Sequence, residues 1–473
     1  MRRLASLLLL LALVPCSFAG EQIVGTFRPG LPQQAEVLAH VPVKGLVAEF
    51  INPQGTGLGK SLGYLLWREV LTAVQDQRGA GVIYAHTPSD TQLTDLLRRD
   101  YHRAAVEIAQ AQHTRMALWG VATELGDQVY INSYLTLLPA LIGDQLSVNL
   151  AVHGERQAGL AAEVGRSRYN FAMVRSTRAQ LFDRALVTRR QVQLRAAPDR
   201  QAATVRRVAK DTALHAVDMR DRWFEVALKD GGRAWVDIDS VEVPPREVHA
   251  DRTGLNIRAR PDGALLRKTN LHGDYRVLDM RYIPGSGLWY RLQFEHDSGW
   301  VAGWLVEPRF SLPAVYFMAG LQRYQLKNYM QARKAFQAFI TVAGDSESNV
   351  NLAGAYAMLG GAILMQRFHS AGEAAPALQA IEHAVALTPY DPAMYNLSAV
   401  TRLVVESRVG GTLDDLGTAL KLDASNPRAL AILDSVAEAA KGRGGRPTEL
   451  GHSLRLDAQD RTKIDSLQQR FLK

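Results

Sequence analysis

Apolar positions along the chain change their spacing twice. Over residues 21–186 short apolar runs alternate with stretches of helical period. Residues 44–52 read as a strand, and residues 61–74 place Leu62, Leu65, Leu66, Val70 and Leu71 on one helical face. A short strand at 81–84 precedes a second amphipathic helix over 91–112, with Leu93, Leu96, Leu97, Ala104, Ile108 and Ala111 on its apolar side. Residues 116–121 and 128–135 alternate around Glu124, Leu125, Gly126 and Asp127 as a hairpin does. Together these predict an α/β domain of one mixed sheet with helices packed on it. Residues 146–152 read as one more strand, and an amphipathic connector follows to Phe182.

From 187 to 308 the period drops to two, and one pattern is written twice. The first copy runs Val192, Leu194, Arg195, Pro198, then Trp223-Phe224-Glu225-Val226, then Trp235-Val236. The second runs Leu255, Ile257, Arg258, Pro261, then Trp289-Tyr290-Arg291-Leu292, then Trp300-Val301. Val192 and Leu255, Trp223 and Trp289, and Trp235 and Trp300 stand 63, 66 and 65 residues apart, the small drift that loops produce. Phe224, Val226 and Leu228 share one face before Asp230-Gly231-Gly232 turns the chain. Two small β domains are therefore expected, at 187–244 and 247–308, with Pro244-Pro245 as a stiff spacer.

After Arg309 the period is helical. Tyr316, Gly320, Tyr324, Tyr329, Ala332, Phe336 and Phe339 open a first helix pair. A second unit spans 355–389 with Ala377, Ile381, Ala384 and Pro389, and a third 391–424 with Tyr395, Ala399, Leu416, Ala419 and Leu422. Residues 426–440 would cap the stack, so helical repeats are expected over 312–440. The 441–473 tail holds Gly442, Gly444, Gly445 and Pro447 and reads as flexible, with a short helix near its end.

The repeat pair resembles the bacterial SH3-like (SH3b) domain in its apolar-x-apolar-Arg-x-x-Pro opening, central Trp and closing Trp-Val. The helical region resembles tetratricopeptide repeats (TPR), where small residues let paired helices approach. Val47 to Asn52, Gly57-Leu58-Gly59, Leu118-Trp119-Gly120 and Gly126-Asp127 resemble periplasmic α/β domains of the Tol-system propeller protein and of curli-secretion and penicillin-binding-protein-activator lipoproteins. The fold class expected is thus multidomain: an α/β N-terminal domain, two SH3-like β-barrels and an all-α repeat region. The first resemblance implies binding of peptidoglycan peptides, with Trp223, Trp235, Trp289, Tyr290, Trp300 and Trp304 as candidate contacts. Burial of Trp223, Trp235, Trp289 and Trp300 in the barrel cores is the competing expectation. The second resemblance implies a concave helical surface that docks envelope proteins. The third implies a non-enzymatic assembly or docking domain.

Composition narrows the setting. Of 473 residues 47% are hydrophobic and 22% charged, an ordinary globular balance. A net charge of +8 suits an anionic surface such as cell wall or membrane, without the concentration of a nucleic-acid binder. Arg2-Arg3, the apolar run from Leu4 to Val14 and the small residues before Gly20 form a signal-peptide pattern over 1–19, which predicts export to the periplasm. Cys16, the single cysteine, lies inside it; Pro15 departs from a lipoprotein cleavage box, so a cleaved leader is preferred to a lipid anchor. No later stretch reaches membrane-spanning length.

Candidate chemistry is sparse. Gly55 to Ser61 lies between strand and helix, but a phosphate-binding loop needs its first glycine at position 54, where Gln stands; a glycine-rich turn is expected. Arg166, Arg168, Arg175, Arg178 and Arg184 form either an anion-binding face or the solvated side of the connector. The twelve histidines are scattered, no metal-ligand spacing or nucleophile elbow occurs, and no cofactor or metal is expected. These features predict a non-catalytic envelope adaptor. The alternatives are an assembly factor for a secretion, pilus or flagellar machine, and a wall hydrolase with its site in the N-terminal domain.

Overall fold

A computed structural model of the chain describes residues 41–75, 77, 79–85, 100–138, 146–152, 156–162, 167–366, 371–406, 409–441 and 456–472. The leader, Cys16, Arg166 and most of the glycine-rich tail fall outside them. The chain forms two compact units that interleave in sequence. One holds Val43–Val70, Tyr84–Leu181 and Phe310–Lys473; the other includes Leu71–Ile83 and Phe182–Arg309.

The α/β segment starts with β1 (Val43–Ala48), α1 (Leu58–Val74), β2 (Ala80–Ala85), α2 (Tyr101–Ala111), β3 (Met116–Leu125) and β4 (Gln128–Leu137). A two-stranded hairpin, β5 (Leu146–Val152) and β6 (Arg156–Ala162), follows, then β7 (Arg168–Asn170), β8 (Val174–Thr177) and the short α3 (Arg178–Phe182). The mixed sheet runs β2-β1-β3-β4-β7, with β8 also on β4; β1 and β3 are parallel, and β3 and β4 form the expected hairpin. Helix α1 buries Leu62, Leu65, Leu66 and Val70 completely, as its periodicity predicts. Of the helix expected over 91–112, residues 91–99 lie outside the described residues; α2 opens at Tyr101, where the Asp100 side chain caps it by accepting from Arg103 N–H.

The first copy of the β pattern contains β9 (Arg184–Thr188), β10 (Val192–Arg195), β11 (Thr204–Val208), β12 (Ala213–Arg220), β13 (Trp223–Ala227), β14 (Arg233–Asp237) and β15 (Val241–Glu242). Its sheet order is β11-β10-β14-β13-β12-β9-β15. The expected boundary at 187 moves back to Arg184, because every residue of β9 is buried and β9 pairs with both β12 and β15. The second copy contains β16 (Glu247–Arg258), β17 (Leu265–Ile283), β18 (Gly287–Gln293), β19 (Ser298–Ala302) and β20 (Glu307–Arg309). Here β16 pairs with both β17 and β19, so the hydrogen-bonded order β17-β18-β19-β16 closes on itself. Ile257, Val277, Met280, Tyr290, Leu292 and Val301 fill its interior. Pro244 and Pro245, expected as a stiff spacer between the copies, are buried. The copies are also tied by Arg189, which donates to Asp279 Oδ1 at 3.1 Å, and Arg276, which donates to Asp183 Oδ1 at 2.6 Å.

The helical region comprises α4 (Pro313–Gln325), α5 (Tyr329–Ala343), α6 (Asn349–Leu364), α7 (Ala371–Leu387), α8 (Pro392–Val405), α9 (Gly410–Leu422), α10 (Pro427–Lys441) and α11 (Ala458–Phe471). Each packs on the next. The last helix carries a capping box between Asp457 and Asp460, buries Ile464 and packs on α9 and α10, so this part of the tail is structured.

The α/β segment and the helices share one unit, and the contact is built from named groups. Edge pairing on β4 breaks between β7 and β8, and there Phe171 packs against Phe317 and Phe339 at 5.8 and 5.7 Å between ring centroids. The backbone N–H of Ala172, which has no strand partner in this gap, donates to both oxygens of the Glu347 carboxylate at 3.2 and 3.0 Å. Asn351 Nδ2 donates to Asn170 O at 2.6 Å, and both oxygens of the buried Glu69 accept from Ser311. Strand β1 approaches α4 so closely that a side chain at Gly45 would overlap Met318 Cε at 2.2 Å. Such an arrangement explains why α4 is buried on all sides from Ala314 to Gln322.

Candidate ligand cleft

Antiparallel register places directly opposed residues on the same side of a sheet. In the second copy the face away from the filled interior therefore carries Asp279 opposite Arg291, Arg291 opposite Trp300, Arg281 opposite Trp289, and Trp300 opposite Arg258. The first copy repeats the arrangement with Asp218 opposite Glu225, Glu225 opposite Trp235, Arg220 opposite Trp223, and Trp235 opposite Arg195. Both carry a β-bulge at the same place, between Ala216 and Asp218 and between Val277 and Asp279. The extra residue, Leu278 in the second copy, re-aims the strand, so that Arg276 before the bulge faces the same way as Asp279 and Arg281 after it. In both copies the aspartate after the bulge accepts from the next backbone N–H, that of Met219 or Met280. In both, an arginine also lies over the closing tryptophan: Arg220 over Trp235 at 5.9 Å and Arg281 over Trp300 at 5.6 Å.

A cleft of about 550 Å³ opens against this face in the second copy. Ala185 and Val187 of β9, with Ala213 and Leu214 of β12, form one apolar wall. Opposite stand Leu278, Pro261 and the Trp300 ring, and Arg260, Arg276, Arg281 and Arg291 supply the polar surface with Asp211, Asp279, His215 and Gln293. Two of the arginines are matched by acids. Arg276 meets Asp183, and Arg281 lies 3.4 Å from Asp279 and 3.7 Å from Asp211. Burial acts to raise the Asp183 carboxyl, but the hydrogen bond from His215 and the charge of Arg276 outweigh it and hold the group below the usual carboxylate range. Arg291 and Arg260 have no carboxylate partner among the described residues. Such a site offers donors, acceptors and small apolar pockets together, which a short peptide requires.

The six candidate contacts separate. Trp300 lines the cleft and is 6% exposed beneath Arg281. Trp289 is buried, but beside Trp300 and Ala302 on the outer face, and its Nε1 donates to Ser286 Oγ at 3.0 Å. Burial in the barrel core was the competing expectation for both; they are buried, but in a small cluster of their own apart from the residues that fill the interior. Tyr290 points into that interior and is 1% exposed, which removes it from the contacts. Trp304 is 54% exposed and meets the Trp289 ring edge-on at 5.8 Å. Trp223 is buried and Trp235 half-buried in the first copy. The cleft arginines were not among the expected contacts. The signal for them was the triplet Asp-Met-Arg, which occurs at 218–220 and again at 279–281.

Other expected features resolve locally. In the glycine-rich turn Asn52 Oδ1 accepts from Thr56 N–H at 2.7 Å, Ser61 Oγ donates to Gly57 O, and a side chain at Gly59 would overlap Phe50 O at 1.9 Å. These contacts account for the residues as a tight strand-to-helix turn. Of the connector arginines, Arg168 and Arg175 lie over Tyr134 and Tyr130 on one face of β4, Arg178 pairs with Glu124 and Arg184 is buried, while Arg166 lies outside the described residues. In the helical region, α4 contacts β1, β3 and β4, α6 holds Asn170, and α8 and α10 contact β6. The first helix of each pair is thus turned toward the chain's own strands. Among the described residues no helix is long and apolar enough to cross a membrane, and no cluster of three metal-ligating side chains occurs.

No family model and no curated protein matches the chain. Among solved structures it is similar to the first TPR of Spaghetti (RPAP3) bound to an HSP90 peptide, at 16% identity over 28% of this chain and 94% of that one, with a TM-score of 0.23. It is similar also to NlpC1 from Trichomonas vaginalis, at 14% identity over 28% of this chain and 48% of that one, TM-score 0.15. A third similarity is to the CBD of endolysin LysPBC5, at 13% identity over 27% of this chain and 93% of that one, TM-score 0.14.

Proposed function

We propose that the chain is an exported, non-catalytic adaptor of the periplasm that contacts peptidoglycan peptides through its pair of SH3-like β domains. The carrying observation is the cleft of about 550 Å³ formed by β9 and β12 with the Trp300 face of the second copy. A mixed lining of arginine, aspartate, small apolar residues and one tryptophan suits a short, charged, small-residue peptide better than a flat protein surface. The helices act first as a clamp on the α/β sheet, because the first helix of each pair is engaged with the chain's own strands. Partner proteins would then meet the second helices, α5, α7 and α9.

Co-sedimentation with purified cell-wall sacculi tests this reading. The full chain should pellet at low salt and remain bound at moderate salt, and Arg281→Ala, which uncovers Trp300, should reduce the bound fraction several-fold. Failure of the unaltered chain to pellet at low salt would remove the wall as its ligand. Release of soluble wall fragments by the protein alone would replace the adaptor with a hydrolase.

A further inference from the structure

The two outer faces differ at the position that sets their charge. Glu225 and Arg291 occupy equivalent places, opposite Asp218 and Trp235 in one copy and opposite Asp279 and Trp300 in the other. Glu225 is matched by Arg233, whose Nη1 lies 2.7 Å away. Arg291 instead donates Nε and Nη2 to the neutral Ser298 Oγ, at 3.0 and 2.8 Å. Asp279, across the strand pair, is engaged by Arg189 and Arg281. Arg291 thus holds a positioned guanidinium whose charge no described carboxylate balances, and the exposed Arg260 stands on the same cleft.

We infer that the cleft selects ligands bearing a free carboxylate, which Arg291 and Arg260 receive while Trp300, Leu278 and Pro261 hold the adjoining small apolar groups. This rests on the proposed reading only in taking the ligand to be a peptide. Arginine's planar fork matches a carboxylate with two parallel N–H donors. Phosphate fits the fork too, but Asp211 and Asp279 border the same space and oppose a dianion more than a monoanion. Those aspartates and Gln293 can accept from peptide N–H groups. The first copy, with Glu225 and Arg233 paired at the equivalent place, lacks the feature, so the two copies divide into a binding and a structural member.

Calorimetric titration of the full chain with the peptide Ala-Glu-Ala-Ala as free acid, and with Ala-Gln-Ala-Ala amidated at its C-terminus, tests the assignment. The acid should bind at least about tenfold more tightly than the amide, the loss expected for a hydrogen bond to a charged partner. R291E, which installs the first copy's charge on an exposed side chain, should weaken the acid by a similar factor with an unchanged near-UV spectrum. E225A should bind as the unaltered chain does. No binding of the acid, equal affinity for the amide, an unchanged R291E, or displacement by inorganic phosphate at equal concentration each overturns the inference. Sacculus pelleting undiminished in R291E would leave wall contact standing and sink the carboxylate site. Selective binding of the acid without pelleting would do the reverse.

Discussion

At the scale of residues, burial decides which tryptophans can act on a ligand. Trp289 is 3% exposed and Trp304 54% exposed, although their rings touch. Trp289→Ala should therefore destabilise the β pair by about 3–5 kcal/mol in denaturant unfolding. Trp304→Ala should stay within about 0.5 kcal/mol, and only a change in ligand affinity would reveal it. Acid sensitivity follows from two other residues. Burial acts to raise both Asp183 and Asp274, but hydrogen bonds from His215 and Arg276 on the one, and from His249 and Arg309 on the other, prevail and lower them below the ordinary value of 3.8. A carboxylate depressed in the folded state stabilises fully above its unfolded value and gives that up as pH falls through the folded one. Their contribution should thus be constant above the ordinary carboxylate range and be lost below pH 3.8. Melting midpoints across pH should show Asp183→Asn with Asp274→Asn losing less on acidification than the unaltered chain. An identical acid slope would contradict the pairing.

At the scale of elements, the interruption between β7 and β8 joins the sheet to the helices. Phe171 is 5% exposed among Tyr169, Phe317 and Phe339, and Glu347 satisfies the Ala172 N–H that the broken strand leaves open. Phe171→Ala should cost about 3–5 kcal/mol. Because both parts share the cluster, helix signal by circular dichroism and fluorescence of the buried Trp67 and Trp119 should shift together. Separate transitions, with only one moved, would mean that the sheet and helices fold independently.

Periodicity made β1, α1, the β3–β4 hairpin, both β copies and most helices legible in the sequence, since each depends on local alternation. The Phe171 junction was not legible, because an aromatic residue in a connector looks the same whether it packs locally or on a helix many residues away. The bulges at Val217 and Leu278 were hidden for a related reason: a single inserted residue reverses the apparent facing of everything beyond it. Counting in twos along 276–281 would put Arg276 and Arg281 on opposite faces. Central tryptophans were visible as a pattern, but their place outside the barrel interior followed only from the register.

At the scale of the whole molecule, the linear order of α/β segment, β pair and helices is not the order of assembly. The first and last belong to one unit, and most of the other unit is the β pair, inserted between them in sequence. Its own feature is the cleft, and the most direct test is hydrogen–deuterium exchange of the full chain with and without soluble muropeptides. Binding there predicts slowed exchange over residues 275–302 and 211–215, with the helices at 313–441 unchanged. Protection confined to the helices, or none at a concentration where the ligand is bound, would contradict the account.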